Sequence, residues 1–106
     1  MRLNADKIDS LIEVIASFIG NEQAELRLFG SRTQDDNKGG DIDLLLLTKD
    51  NESSSKLLLK KHFMLAAIKK RLGDQKIDLI ITSQKEITND SFLKMIYPDS
   101  VVLKKW

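Results

Sequence analysis

The sequence predicts an α/β fold of the α+β kind: one mixed sheet of about four strands, with helices packed against it. Three observations point there. The first twenty residues carry an apolar stripe at helical spacing. Four short runs, near 24–29, 41–48, 76–82 and 101–103, read as strands. A long amphipathic segment, which reads as a helix, separates the second run from the third. With 106 residues the chain is expected to form a single domain, residues 1–106, around one modest core.

The elements follow in order. Ile8, Leu11, Ile12, Ile15, Phe18 and Ile19 recur at steps of three and four, one face of a helix. Asn4 or Asp6 suits its start, and Gly20 suits a left-handed stop. Ala24 to Phe29 alternates as a strand does and ends at Gly30-Ser31. Residues 32–40 are polar, close with two glycines and read as a loop. Asp41 to Thr48 is the second strand. Its Leu44-Leu45-Leu46-Leu47 run is apolar on both faces, so this strand should be central. After a polar turn, one helix is expected over roughly Ser54 to Leu72, stopped by Gly73. Lys76 to Thr82 is the third strand, Asn89 to Tyr97 a short helix ended by Pro98, and Val101-Val102-Leu103 a short fourth strand.

Bulk properties exclude some functions. Seventeen basic residues against sixteen acidic ones leave a net charge of +1, so no general attraction to nucleic acid or to a membrane surface is expected. Any phosphate must be bound at a local site. No cysteine is present, which removes disulfide frameworks and thiolate metal centres. No apolar run is long enough for a membrane span, and the first residues are too charged for a secretion signal. A cytoplasmic protein is the expectation.

The chemistry is concentrated in few residues. Asp41 and Asp43 stand two apart on a strand, so their side chains share a face while Ile42 points to the core. Two adjacent carboxylates repel unless a cation sits between them. Magnesium takes oxygen ligands and commonly combines one or two carboxylates with substrate phosphates. Asp78, in Ile77-Asp78-Leu79-Ile80-Ile81, joins the same site if its strand neighbours that of Asp41. A carboxylate in so apolar a strand is costly to desolvate without such a reason. Three carboxylates can hold two magnesium ions, one activating the attacking oxygen and one stabilising the leaving oxygen. Gly30 lets backbone N–H groups approach phosphate, Ser31 adds a hydroxyl donor, and Arg32 offers a charge.

Leu28-Phe29-Gly30-Ser31-Arg32 followed by Asp41-Ile42-Asp43-Leu44-Leu45, with nine residues between Ser31 and Asp41, resembles the nucleotidyltransferase superfamily that includes DNA polymerase beta. Asp78 resembles that family's third acid. The resemblance extends over nearly the whole chain and is strongest to the minimal nucleotidyltransferases, down to Ser91-Phe92-Leu93-Lys94-Met95-Ile96 and Val101-Val102-Leu103. Thr33-Gln34-Asp35-Asp36-Asn37 departs from the small, basic run that often follows Gly-Ser-Arg there. The resemblance implies a polymerase-beta-like fold. It also implies a Mg²⁺-dependent enzyme that takes a nucleoside triphosphate, ATP for AMP transfer, and releases pyrophosphate. Asp41, Asp43 and Asp78 would be its catalytic and metal-binding residues; Gly30, Ser31 and Arg32 would bind the nucleotide. Minimal members are often paired with a helical HEPN-type toxin, and some antitoxins transfer AMP to a tyrosine of that partner. The alternative implied is an antitoxin that neutralises its partner by complex formation with little or no catalysis. A homo-oligomer is compatible with either.

Other residues have plainer readings. A solvated strand start competes weakly with the metal reading of Asp41 and Asp43, and an edge-strand carboxylate competes more strongly at Asp78. His62, the sole histidine, reads as a surface or packing residue of the long helix. Lys60-Lys61 and Lys69-Lys70-Arg71 read as its wet face. Tyr97 and Trp106 read as core or as interface anchors.

Overall fold

A computed structural model describes residues 5–30, 42–73 and 75–106. Helix α1 spans Ala5–Ile19, and Gly20 ends it with φ 68. Asp6 lies in its first turn, where its charge suits the helix dipole. Asn4, the other expected cap, lies outside the described residues. Strand β1 (Ala24–Phe29) runs antiparallel to β2 (Ile42–Thr48), and β2 runs parallel to β3 (Ile77–Ser83). Strand β4 (Val101–Lys105) adds antiparallel to the other side of β1. The sheet order is β3-β2-β1-β4, a mixed four-stranded sheet as expected.

The alternation of β1 and β2 decides what each face of the sheet becomes. Ala24, Leu26 and Leu28 with Ile42, Leu44 and Leu46 face α1 and the crossover helices, joined by Leu79 and Ile81 of β3. Leu11, Ile15, Leu57, Met64 and Ile68 close that core from the helix side. Leu45, Leu47 and Phe29 face the other way and pack with Leu93, Ile80, Ile87, Ile96 and Tyr97. The four-leucine run of β2 is therefore covered on both sides, and β2 is central, as its sequence predicts.

The crossover differs from expectation. Instead of one helix over 54–72, two form: α2 (Asn51–Leu58) and α3 (Lys61–Leu72). The first starts earlier because Asp50 caps it, its carboxylate accepting from Ser53 N–H at 2.8 Å. The chain then tightens, with Lys60 N–H donating to Leu57 O at 2.9 Å, before α3 begins. The change of direction lets α2 pack on β2 and β3 while α3 packs on α1. It leaves Leu59 79% exposed at the corner. Gly73 ends α3 with φ 84, as expected of a helix stop.

The C-terminal elements are also finer than expected. Helix α4 covers only Ser91–Ile96, capped by Asp90, and Pro98 sits in a following 3₁₀ turn, Tyr97–Asp99. A further 3₁₀ turn spans Gln84–Ile87. Arg27 binds this end of the chain to the sheet. It pairs with Glu25, donates to Ser100 Oγ at 2.5 Å and lies over the Tyr97 ring at 4.3 Å. Tyr97 thus belongs to the second core, and Trp106 packs at the edge of the first while its backbone N–H donates to Ala24 O at 2.8 Å. His62 is exposed and its ring lies tilted against that of Phe63, centroids 4.0 Å apart. Among the described residues no helix is long and apolar enough to cross a membrane.

Candidate active site

The strand register brings two of the three expected acids together. Asp43 and Asp78 are direct partners in the parallel β2–β3 ladder. Adjacent strands lie about 4.8 Å apart, and partners in register present their side chains to the same face. Across β1 the partner of Asp43 is Phe29. A row of three residues, Phe29, Asp43 and Asp78, therefore crosses three neighbouring strands on the α4 side of the sheet. Exposure rises along it: Phe29 is buried, Asp43 half-buried and Asp78 exposed.

That gradient follows from strand order. Strand β1 lies between β2 and β4, whereas β3 is an edge strand with one neighbour. The apolar surroundings of Asp78 in sequence suggest a costly buried carboxylate, but the alternation of β3 buries Leu79 and Ile81 and turns Asp78 to solvent. Its carboxylate thus remains hydrated, and desolvation gives no separate argument for a ligand there. The argument for one is its neighbour: two carboxylates in register repel, and a shared hard cation relieves that repulsion.

Gly30 completes the arrangement from β1. It has φ 75, a region that L side chains rarely adopt. A Cβ there would collide with Asp43 Oδ2 and lie 3.2 Å from its Cγ. The end of β1 thus passes directly against the Asp43 carboxylate, and only glycine permits that approach. A backbone brought so near a candidate metal ligand is also near any phosphate bound to that metal. Asp41, Ser31 and Arg32, like Asp35, Asp36 and Lys38, lie outside the described residues.

An open depression of about 310 Å³ surrounds this row, lined by Phe29, Asp43, Asp78 and Ile80 together with Lys61 and Phe92. The last two are additions to the sequence reading. Lys61 reads in sequence as the wet face of a long helix; the break before α3 makes it the first residue of a new helix, half-buried beside the acids. Phe92 reads as one apolar residue of a short helix, yet it is 47% exposed. No pattern in so short a helix distinguishes it from Leu93, which is buried. Among the described residues no set of three acidic, histidine or cysteine side chains converges on a metal-sized site. The donors that fit magnesium here are the Asp43 and Asp78 oxygens, hard ligands held side by side.

Two carboxylates on adjacent strands, beside a glycine-ended strand on a mixed sheet with helices behind it, offer the kinds of donor that a hard cation and a phosphate take. The family model described as nucleotidyltransferase domain matches residues 8–103. The chain belongs to the nucleotidyltransferase domain family. Its fold is similar to that of a Sulfolobus solfataricus protein provisionally described as a nucleotidyltransferase, whose crystal structure was determined at 1.40 Å. That likeness has a TM-score of 0.53 at 20% identity and covers 99% of this chain and 92% of the other. No curated protein matches the sequence.

Proposed function

We propose that this domain catalyses Mg²⁺-dependent transfer of AMP from ATP to an acceptor hydroxyl. The observation that carries the reading is the Asp43–Asp78 pair in register, with Gly30 packed against Asp43. Asp43 and Asp78, with Asp41 as the third acid, are the residues that would hold two magnesium ions. Bound there, the ions would neutralise phosphate charge and so ease attack and departure. Gly30 and Ser31 orient the β- and γ-phosphates, and Arg32 adds charge to that hold. The acceptor oxygen forms a bond to the α-phosphorus while the bond from that phosphorus to the bridging α–β oxygen breaks. Pyrophosphate leaves with that oxygen. Asp78 takes the hydroxyl proton and passes it to the solvent it faces. Positioning and charge neutralisation carry most of the rate, as in phosphoryl transfer generally.

The acceptor in this reading is a tyrosine of a helical HEPN-type toxin, which makes the chain an antitoxin. Support comes from the resemblance to minimal nucleotidyltransferases and from an open site that needs a partner to exclude water. The test is transfer of α-labelled phosphate from ATP to the protein encoded beside this chain, with Mg²⁺. The wild type should label that partner, and Asp43→Asn should lower the rate by roughly 10²–10³-fold, the scale for losing one electrostatic contributor. Absence of label together with equal ATP binding by wild type and Asp43→Ala would sink the reading. If an Asp43→Asn/Asp78→Asn variant still neutralises the partner fully, neutralisation proceeds by complex formation instead.

A further inference from the structure

We propose that Phe92 is the platform on which the nucleobase of the bound nucleotide stacks, an assignment that rests on the nucleotidyltransferase reading above. Phe92 lines the same depression as Asp43 and Asp78. Its ring meets Phe29 in a T-shaped contact, centroids 6.4 Å apart and planes at 81°. Phe29 is in turn the register partner of Asp43. One buried ring thus ties Phe92 to the acid row and sets the tilt of its ring.

Packing alone does not account for that ring's position. Helix α4 is anchored by Leu93, which is 5% exposed in the second core, and by the Asp90 cap at its start, whose carboxylate accepts from Leu93 N–H at 3.0 Å. Phe92 keeps 47% of its surface in water. A half-exposed aromatic held at fixed tilt beside a phosphate-type site offers a π surface to a flat ligand. With the phosphates held near Gly30 and the acids, the flat part of the same molecule is its base.

The rest of the lining bears on selectivity. Among the described residues, the lining apart from Lys61 and the two carboxylates is apolar. Stacking accepts every base, because every base has a π face, and its strength grows with ring area. The site should therefore favour purines over pyrimidines and distinguish adenine from guanine weakly. Stacking on one aromatic side chain contributes enough that its removal weakens binding about tenfold or more.

Calorimetric titration of the wild type, Phe92→Ala and Phe92→Tyr with ATP, GTP, CTP and inorganic tripolyphosphate in the presence of Mg²⁺ tests this. Phe92→Ala should lose about tenfold in affinity for ATP and GTP, less for CTP, and nothing for tripolyphosphate. Phe92→Tyr should retain the wild-type pattern. If Phe92→Ala binds ATP as the wild type does, or weakens ATP and tripolyphosphate equally, the stacking role is overturned while the transferase reading stands. If the wild type binds neither ATP nor tripolyphosphate, both fall together.

Discussion

The two faces of the sheet are built from the same strands and do opposite things. On the face toward α1 and α3, Leu26, Leu28, Ile42, Leu44 and Leu46 are all fully buried. On the face toward α4, alternate residues of those strands include Glu25, Arg27 and Asp43, and burial declines from Phe29 to Asp78. A period of two makes this division automatic: every residue that does not serve the main core is presented to the other side. The first face supplies most of the burial free energy, at about 25 cal/mol per Å² of apolar surface. The second is partly open, and it is where the glycine and the acids meet. The comparison implies that stability and chemistry can be damaged separately.

The largest expected effect comes from the covered face. Leu46→Ala removes a fully buried side chain from the core that the sheet shares with its covering helices. Such truncations cost about 2–5 kcal/mol, a large share of what a domain of this size has to spare. Urea denaturation should show that loss in the midpoint. The Mg²⁺-dependent ATP affinity of the molecules that remain folded should be unchanged. A reduced affinity in the folded fraction would show that the two faces are not independent.

Gly30→Ala comes next, because it acts on both. The left-handed backbone at φ 75 resists any side chain, and the added Cβ displaces the Asp43 carboxylate. A cost of about 1–3 kcal/mol in stability is expected from strain of this kind. The sharper readout is Mn²⁺ affinity, since a displaced Asp43 no longer aligns with Asp78. If stability falls while Mn²⁺ binding is preserved, Gly30 serves the turn alone.

How much of this was legible in the sequence follows from how local each signal is. The leucine run of β2 and the stripe on α1 are decided within a few residues, and both the central strand and the helix are where the pattern puts them. The alliance of Asp43 with Asp78 depended on which strands are neighbours, which pattern alone leaves conditional; the parallel register answers it. The helix break at residues 59–60 carries no glycine or proline and arises from packing of α2 and α3 on different elements, so the sequence pattern puts Lys61 on a wet helix face. The hold of Arg27 on Ser100 joins residues 73 apart in sequence and had no local signal. Phe92 differs from Leu93 only in which way a six-residue helix faces the sheet.

The smallest expected effect belongs to neither face. Asp50 caps α2, and its hydrogen bond from Ser53 N–H holds its carboxyl below the ordinary 3.8. A carboxyl whose pKa is depressed by folding adds stability that is present above its unfolded value and is lost as pH falls through its folded value. Asp50→Ala should therefore lower the melting temperature slightly at neutral pH. The gap from wild type should shrink as pH falls below about 4 and close below the folded pKa. Because α2 sets where α3 begins, and so where Lys61 stands, ATP affinity measured at neutral pH shows whether the corner reaches the site. An unchanged affinity would confine the cap to folding; a weakened one would make the helix break part of how the acid-bearing face is completed.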